Sequence, residues 1–226
     1  MSAAATLSDL ERDALAELGN IGIGKASTAL GRMLGGLVTL SVPSVEIVSP
    51  ADVADLLDQA LPPPLVGISE RLGGLFAGCA LLVVPQDGSL PLVRAALPPD
   101  IPAEDAPALE DEVLAELGNV VLNSTLAMVA NLLGEPVDTG LPLVFRGPAA
   151  AILRTCAAAQ LPADGTASVG KPEDAAAAVL FHVALRAALP GGEGTMVGGR
   201  VVLLLDAGSV QAFQATLGRF ITRMVA

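Results

Sequence analysis

One stretch of this chain occurs twice. Residues 13–43, DALAELGNIGIGKASTALGRMLGGLVTLSVP, recur as residues 112–142, EVLAELGNVVLNSTLAMVANLLGEPVDTGLP, at an offset of 99 residues. About ten of the 31 paired positions are identical. Both copies keep an acid, a Glu four residues on, an Asn three further and a Pro far downstream: Asp13, Glu17, Asn20 and Pro43 in the first, Glu112, Glu116, Asn119 and Pro142 in the second. An internal copy of this length obliges the two halves to build similar elements, so the fold must tolerate approximate two-fold symmetry.

The periodicity outside the repeat agrees. Leu10 to about Leu34 carries apolar residues at helical spacing, with Ser8 as N-cap and Glu11 completing a capping box, and Gly35-Gly36 ending the helix. LVTLSVPSVEIV reads as a strand, ADVADLLDQA as a short acidic helix, and LVGISERLGGLFAGCALLVVP as a hairpin turned at Gly73-Gly74. DGSLPLVRAAL reads as a further short helix. The second half repeats this order: a helix to Gly134, the strand-like VDTGLPLVF, an irregular Ala-rich stretch, a hairpin turned at Gly191-Gly192, and a closing helix SVQAFQATLGRFITRM. The Pro- and acid-rich LPPDIPAEDAPALE separates the halves. We expect one α+β domain over residues 1–226, built of two repeats at about 8–98 and about 107–224. Both halves contribute to a largely antiparallel sheet, and the two long motif helices pack on it.

At about 100° per residue, Asp13, Glu17 and Asn20 fall within an arc of roughly 60° on their helix. Leu15, Leu18 and Ile21 are expected to point toward the core, leaving the acid and amide row on the surface. Glu112, Glu116 and Asn119 repeat the row. A solvated face needs only polarity. Here the same acid and amide recur while their neighbours diverge, as at Gly22 against Val121 and Lys25 against Ser124. Asn is also a poor helix former, by roughly 0.5 kcal/mol against Ala, so its retention in mid-helix points to a task.

Other chemistries lack their residues. Gly19 to Lys25 approaches the phosphate-loop pattern, but Ala26 stands where a hydroxyl would bind magnesium, the segment is helical, and the second copy has Asn123-Ser124 in place of Gly24-Lys25. His182 is the single histidine and sits among strand-like residues, where a structural role is expected. Cys79 and Cys156 have no metal-ligand spacing and read as two buried thiols of a reducing compartment. Ser89 and Ser209 read as N-caps with no base nearby. A net charge of −12 without a basic stripe excludes nucleic acid as an expected partner. No uncharged apolar run approaches the ~20 residues of a membrane helix, and MSAAATLSDLERD has no signal-peptide character. A cytoplasmic protein with no membrane insertion is therefore expected.

The acid-x3-Glu-x2-Asn-x22-Pro pattern, present twice, resembles the signature of the CheC/CheX/FliY phosphatases of chemotaxis. The second copy departs from that signature in its leading residue, Glu112, where the family carries Asp or Ser. The resemblance implies hydrolysis of the aspartyl phosphate on the response regulator CheY. Asn20 and Asn119 would orient the attacking water, and Glu17 and Glu116 would grip the regulator's active-site lysine. Asp13 and Glu112 would support docking by charge, and Pro43 and Pro142 count with them as supporting residues. It implies no cofactor of the chain's own, since the regulator supplies Mg2+, and it adds the receptor deamidase CheD as a second partner. An adaptor that binds phosphorylated CheY or CheD without turnover would carry the same residues.

Overall fold

A computed structural model describes residues 8–74, 78–98, 100–102, 104–134, 136–158, 177–188 and 195–225. Helix α1, Asp9–Met33, begins at the expected capping box: Ser8 Oγ accepts the Glu11 amide, and the Glu11 carboxylate accepts the Ser8 amide at 2.8 Å. Gly35 turns the chain at φ +63°, a conformation open to glycine at no steric cost. Strand β1, Leu37–Val48, a 3-10 turn at Pro50–Asp52 and helix α2, Val53–Ala60, follow. The hairpin of β2, Leu65–Gly74, and β3, Gly78–Pro85, leads to α3, Gln86–Ala96.

The second half comprises α4, Ala106–Leu133, the short strands β4, Val137–Thr139, and β5, Leu143–Gly147, then α5, Ala149–Ala158. The pair β6, Ala177–Ala188, and β7, Thr195–Leu205, and helix α6, Ala207–Val225, complete it.

All seven strands join one antiparallel sheet in the order β1-β6-β7-β3-β2-β4, with β5 also paired to β2. The fold is α+β. Once β1 is equated with β4 and β5, β2 with β6, and β3 with β7, the order is the same from either end. Each half's first strand is lodged against the other half's hairpin: β1 lies on β6, and β4 and β5 lie on β2.

Alternation along the strands sends successive side chains to opposite faces, and both faces are covered. On one face α1, α3, α4 and α6 close a core that includes Leu15, Ile23, Leu30, Leu122, Phe213 and Leu217 with Ile68 and Phe181 of the sheet. On the other, Val53 and Leu57 of α2 and Ile152 and Leu153 of α5 meet Leu81, Val83, Leu180 and Val202. Coverage on both sides explains why Cys79 to Val83 is a continuous apolar run rather than an alternating one.

The structure differs from several sequence expectations. Gly73 and Gly74 are strand residues paired with Asp138 and Val137; the Gly191-Gly192 turn lies outside the described residues. The linker is shortened because α4 starts at Ala106, where Pro107 is tolerated in the first turn. The first part of the Ala-rich stretch is helix α5, whose Ile152 and Leu153 have a sheet face to bury against. VDTGLPLVF is two strands rather than one, interrupted at residues 140–142.

Ile21 is 66% exposed. Ser89 lies inside α3 and donates to the Gln86 carbonyl, while Asp206 accepts the Ser209 amide and so caps α6 in its place. Cys79 and Cys156 are buried as expected but joined as a disulfide, because β3 and α5 face each other in the second core. Helix α4 also contains one stretch, Ala106–Asn131, long and apolar enough to cross a membrane. Its Leu114, Val121, Leu122, Leu126 and Val129 are buried in the first core, the pattern of a core helix.

Candidate functional site

The two motif helices pack against each other on the same face of the sheet, and glycines let them approach. A Cβ on Gly22 of α1 would stand 2.5 Å from the Met128 Cβ of α4. The glycine preceding each motif Asn has a second task. Gly19 seats α1 on Val42 of β1, where an added Cβ would lie 3.2 Å from the valine side chain, and Gly118 seats α4 on Ile68 of β2, where it would lie 2.4 Å from Cγ2. Gly24 has nothing within 4 Å, so close approach does not account for it. The phosphate-loop look-alike is an uninterrupted part of α1.

The helix geometry puts the acids where the arc argument placed them. Asp13 and Glu17 are exposed on α1, and Glu112 and Glu116 on α4. Among the described residues, none of the four carboxylates has a hydrogen bond or an ion pair, so all are free to meet a partner. Nearby carboxylates are not free. Glu110 and Asp111, at the start of the same helix, bracket Arg146 of β5 at 3.1 and 2.5 Å and tie α4 to the sheet. Burial lowers the Arg146 guanidinium, but its bonds to Asp111 and Glu110 outweigh this and leave it above its ordinary value.

The two amides differ. Asn20 Oδ1 accepts from the Val42 backbone N–H at 2.8 Å and its Nδ2 donates to the Val42 carbonyl at 3.2 Å. Val42 and Pro43 fall in the irregularity between Ser41 and Ser44, where neither is paired in the ladder with β6, and Asn20 supplies hydrogen bonds to Val42 there. Pro43, with no N–H to lose, suits that position. Asn119, half-buried, has no such strand contact. Its Oδ1 accepts from Asn123 Nδ2 at 2.5 Å, and Asn123 Oδ1 accepts from Thr139 Oγ1 at 3.5 Å. Pro142 lies in the break between β4 and β5, beside Leu141, which is 87% exposed. Asn123 and Thr139 were not singled out by sequence reasoning. The signal was there: Asn123 falls four residues after Asn119, one helical turn on.

Other polar groups lie apart from the motif. His182 bonds Glu46 at 2.8 Å across the β1 and β6 strands, and burial, then the Arg200 charge, lower its pKa while Glu46 opposes them. Strand alternation puts these side chains on the sheet face away from the motif helices. Glu70, on the face of β2 that α4 covers, is 1% exposed with neither carboxylate oxygen hydrogen-bonded, and desolvation raises its pKa to about 7.

Fold and site together define a class: a duplicated α+β protein that presents a carboxylate and an amide, three residues apart, on each of two packed helices. The CheC-like family profile matches residues 10–47, which contain the first copy. Two curated relatives from Bacillus subtilis (strain 168) are similar to the chain. The flagellar motor switch phosphatase FliY is 30% identical over 141 residues, covering 61% of this chain and 36% of that protein. The CheY-P phosphatase CheC is 28% identical over 125 residues, covering 54% and 59%. The matches thus span about a third and about three-fifths of these relatives' lengths. The crystal structure of Thermotoga maritima FliY shares the fold, with a TM-score of 0.64 at 18% identity over 94% of this chain and 98% of that one. The chain is thus similar to CheC-like proteins, through the profile match at residues 10–47 and through these two relatives.

Proposed function

We propose that the protein hydrolyses the aspartyl phosphate of a CheY-type response regulator. The observation that carries this reading is the doubled row of Glu and Asn, with exposed carboxylates that have no partner of their own among the described residues, in a chain similar to two proteins named as phosphatases, one of them of CheY-P. An acyl phosphate is already reactive and needs chiefly a water molecule placed in line. A carboxamide suits that task, since it donates and accepts hydrogen bonds and does not titrate. The water oxygen bonds to phosphorus as the bond from phosphorus to the aspartate oxygen breaks. Aspartate leaves as carboxylate, and the water proton passes to the released phosphate.

In this reading Asn20 and Asn119 orient the water. Glu17 and Glu116 pair with the lysine of the regulator's site, and Asp13 and Glu112 contribute charge to docking. Pro43 and Pro142 shape the segments beside the amides. Mg2+ belongs to the regulator, so the chain needs no metal of its own, and the work takes place in the cytoplasm. The two repeats, about 8–98 and about 107–224, act as one unit bearing two sites.

The test is loss of phosphate from purified phosphorylated regulator. The parent protein accelerates it, and Asn20→Ala combined with Asn119→Ala returns the rate to that of the regulator alone. An unchanged rate in the double variant sinks the assignment. Binding of phosphorylated regulator by a parent that produces no hydrolysis selects the adaptor instead.

A further inference from the structure

We infer that the two sites are unequal: turnover runs mainly through Glu116 and Asn119, with Asn123 as a positioning residue for Asn119, whereas Asn20 is chiefly a clamp on strand β1. This inference rests on the phosphatase reading and assigns its work between the two copies.

The asymmetry lies in what each amide already does. Both ends of the Asn20 carboxamide are engaged by one peptide unit, Val42 N–H on Oδ1 and Val42 C=O on Nδ2. Ser27 Oγ adds a further stitch from α1 to β1 by accepting the Leu40 amide at 2.9 Å. To reach into a docked partner, Asn20 must surrender two hydrogen bonds and leave two backbone groups of a buried residue unpaired. At the ordinary worth of such bonds the free conformer is disfavoured roughly tenfold or more.

The second copy lacks the clamp for a visible reason. The residue equivalent to Val42 is Leu141, which lies in the break between β4 and β5 with its side chain in solvent. Asn119 Nδ2 therefore has no hydrogen bond among the described residues, and both its N–H groups are available to a water or a phosphoryl oxygen. Its Oδ1 is held instead. Thr139 donates to Asn123, and Asn123 donates to Asn119, a relay that decides which end of the Asn119 amide faces outward. The position equivalent to Asn123 in the first copy is Gly24, which has no side chain with which to build such a relay. Divergence between the copies has thus left the Asn20 amide engaged at both ends by a strand and, among the described residues, the Asn119 amide engaged at its oxygen alone.

Single variants of the full chain test this, with kcat, KM and melting temperature measured on each against phosphorylated regulator. Asn119→Ala is expected to lower kcat at least tenfold with little change in melting temperature. Asn20→Ala is expected to lower kcat about twofold while lowering the melting temperature by several degrees, because β1 loses its clamp. Asn20→Asp, which retains the acceptor for Val42 N–H, serves in its place should the alanine variant not fold. Asn123→Ala lowers kcat severalfold with KM and melting temperature unchanged, a split that loss of fold or docking does not produce. Asn123→Asp lowers kcat further, because a carboxylate offers only acceptors and draws the Asn119 N–H groups inward.

A larger kcat loss from Asn20 variants than from Asn119→Ala, or an unchanged kcat in Asn123→Ala, overturns the inference while the phosphatase reading stands. A parent without hydrolytic activity overturns both.

Discussion

Replacing Glu70 with Gln should make the protein more resistant to unfolding at alkaline pH and leave it little changed at acid pH. The carboxyl is buried on the β2 face beneath α4, without a hydrogen bond to either oxygen. Desolvation raises its pKa from 4.5 to about 7. Below 4.5 the folded and unfolded chains both hold the proton, and the group adds no pH dependence. Between 4.5 and 7 the unfolded chain has released the proton and the folded chain still binds it, so stability falls as pH rises. Above 7 the folded chain also carries a charged, unpartnered carboxylate, and the loss is complete. At about 1.4 kcal/mol per pK unit the full loss is on the order of 3 kcal/mol. Gln has no such dependence. Any fixed cost of burying its amide cancels when the difference between variant and parent is compared across pH. That difference should grow by about 2 to 3 kcal/mol between pH 5 and pH 8, roughly 5 to 10 °C in melting temperature for a chain of this size. Thermal unfolding of both proteins at unit steps of pH measures it. A difference that stays constant with pH would refute the buried, unpaired state assigned to Glu70.

Gly118→Ala forces a methyl to within 2.4 Å of Ile68 Cγ2, so it should destabilise by about 1–3 kcal/mol and lower turnover by moving α4; Gly19→Ala, at 3.2 Å from Val42, should cost less in the same denaturant titration. Ser8→Ala removes the capping box and should cost about 1 kcal/mol without altering kcat, as paired melting and activity assays will show. Leu141→Ser removes an apolar side chain that is 87% exposed beside the second site, and should raise KM for the regulator severalfold with no loss of melting temperature.

Local structure was legible in the sequence because its causes are local. The capping box of Ser8 and Glu11, the glycine stop after α1 and the full span of β1 are dictated by neighbouring residues. The acid and amide rows were legible for the same reason, since helical spacing alone puts Glu17 with Asn20 and Glu116 with Asn119. What escaped depends on contacts distant in sequence. A repeat does not reveal whether a half pairs with itself, so the exchange of β1 onto β6 and of β5 onto β2 was not foreseen. Nor was the Cys79 to Cys156 bridge, across 77 residues of sequence. Ile21 obeyed helical spacing and still faced solvent, because α1 buries only a narrow stripe, Leu15, Gly19, Ile23, Ala26 and Leu30. The inequality of the amides was half hidden for a related reason: Asn123 against Gly24 stands in the sequence, but the strands that Asn20 and Asn119 meet do not.

The exchanged edge strands also set the order in which the molecule is completed. In β1, Leu40 faces Leu185, so during synthesis this strand waits for a partner about 145 residues further along the sequence. Contacts of that span make for slow folding and leave an apolar strand with nothing to pair with during synthesis. The bonds from Asn20 and Ser27 reach β1 from the helix made just before it, well ahead of β6. Asn20 and Ser27 thus offer β1 hydrogen-bond partners from its own helix before the strand it pairs with has been made.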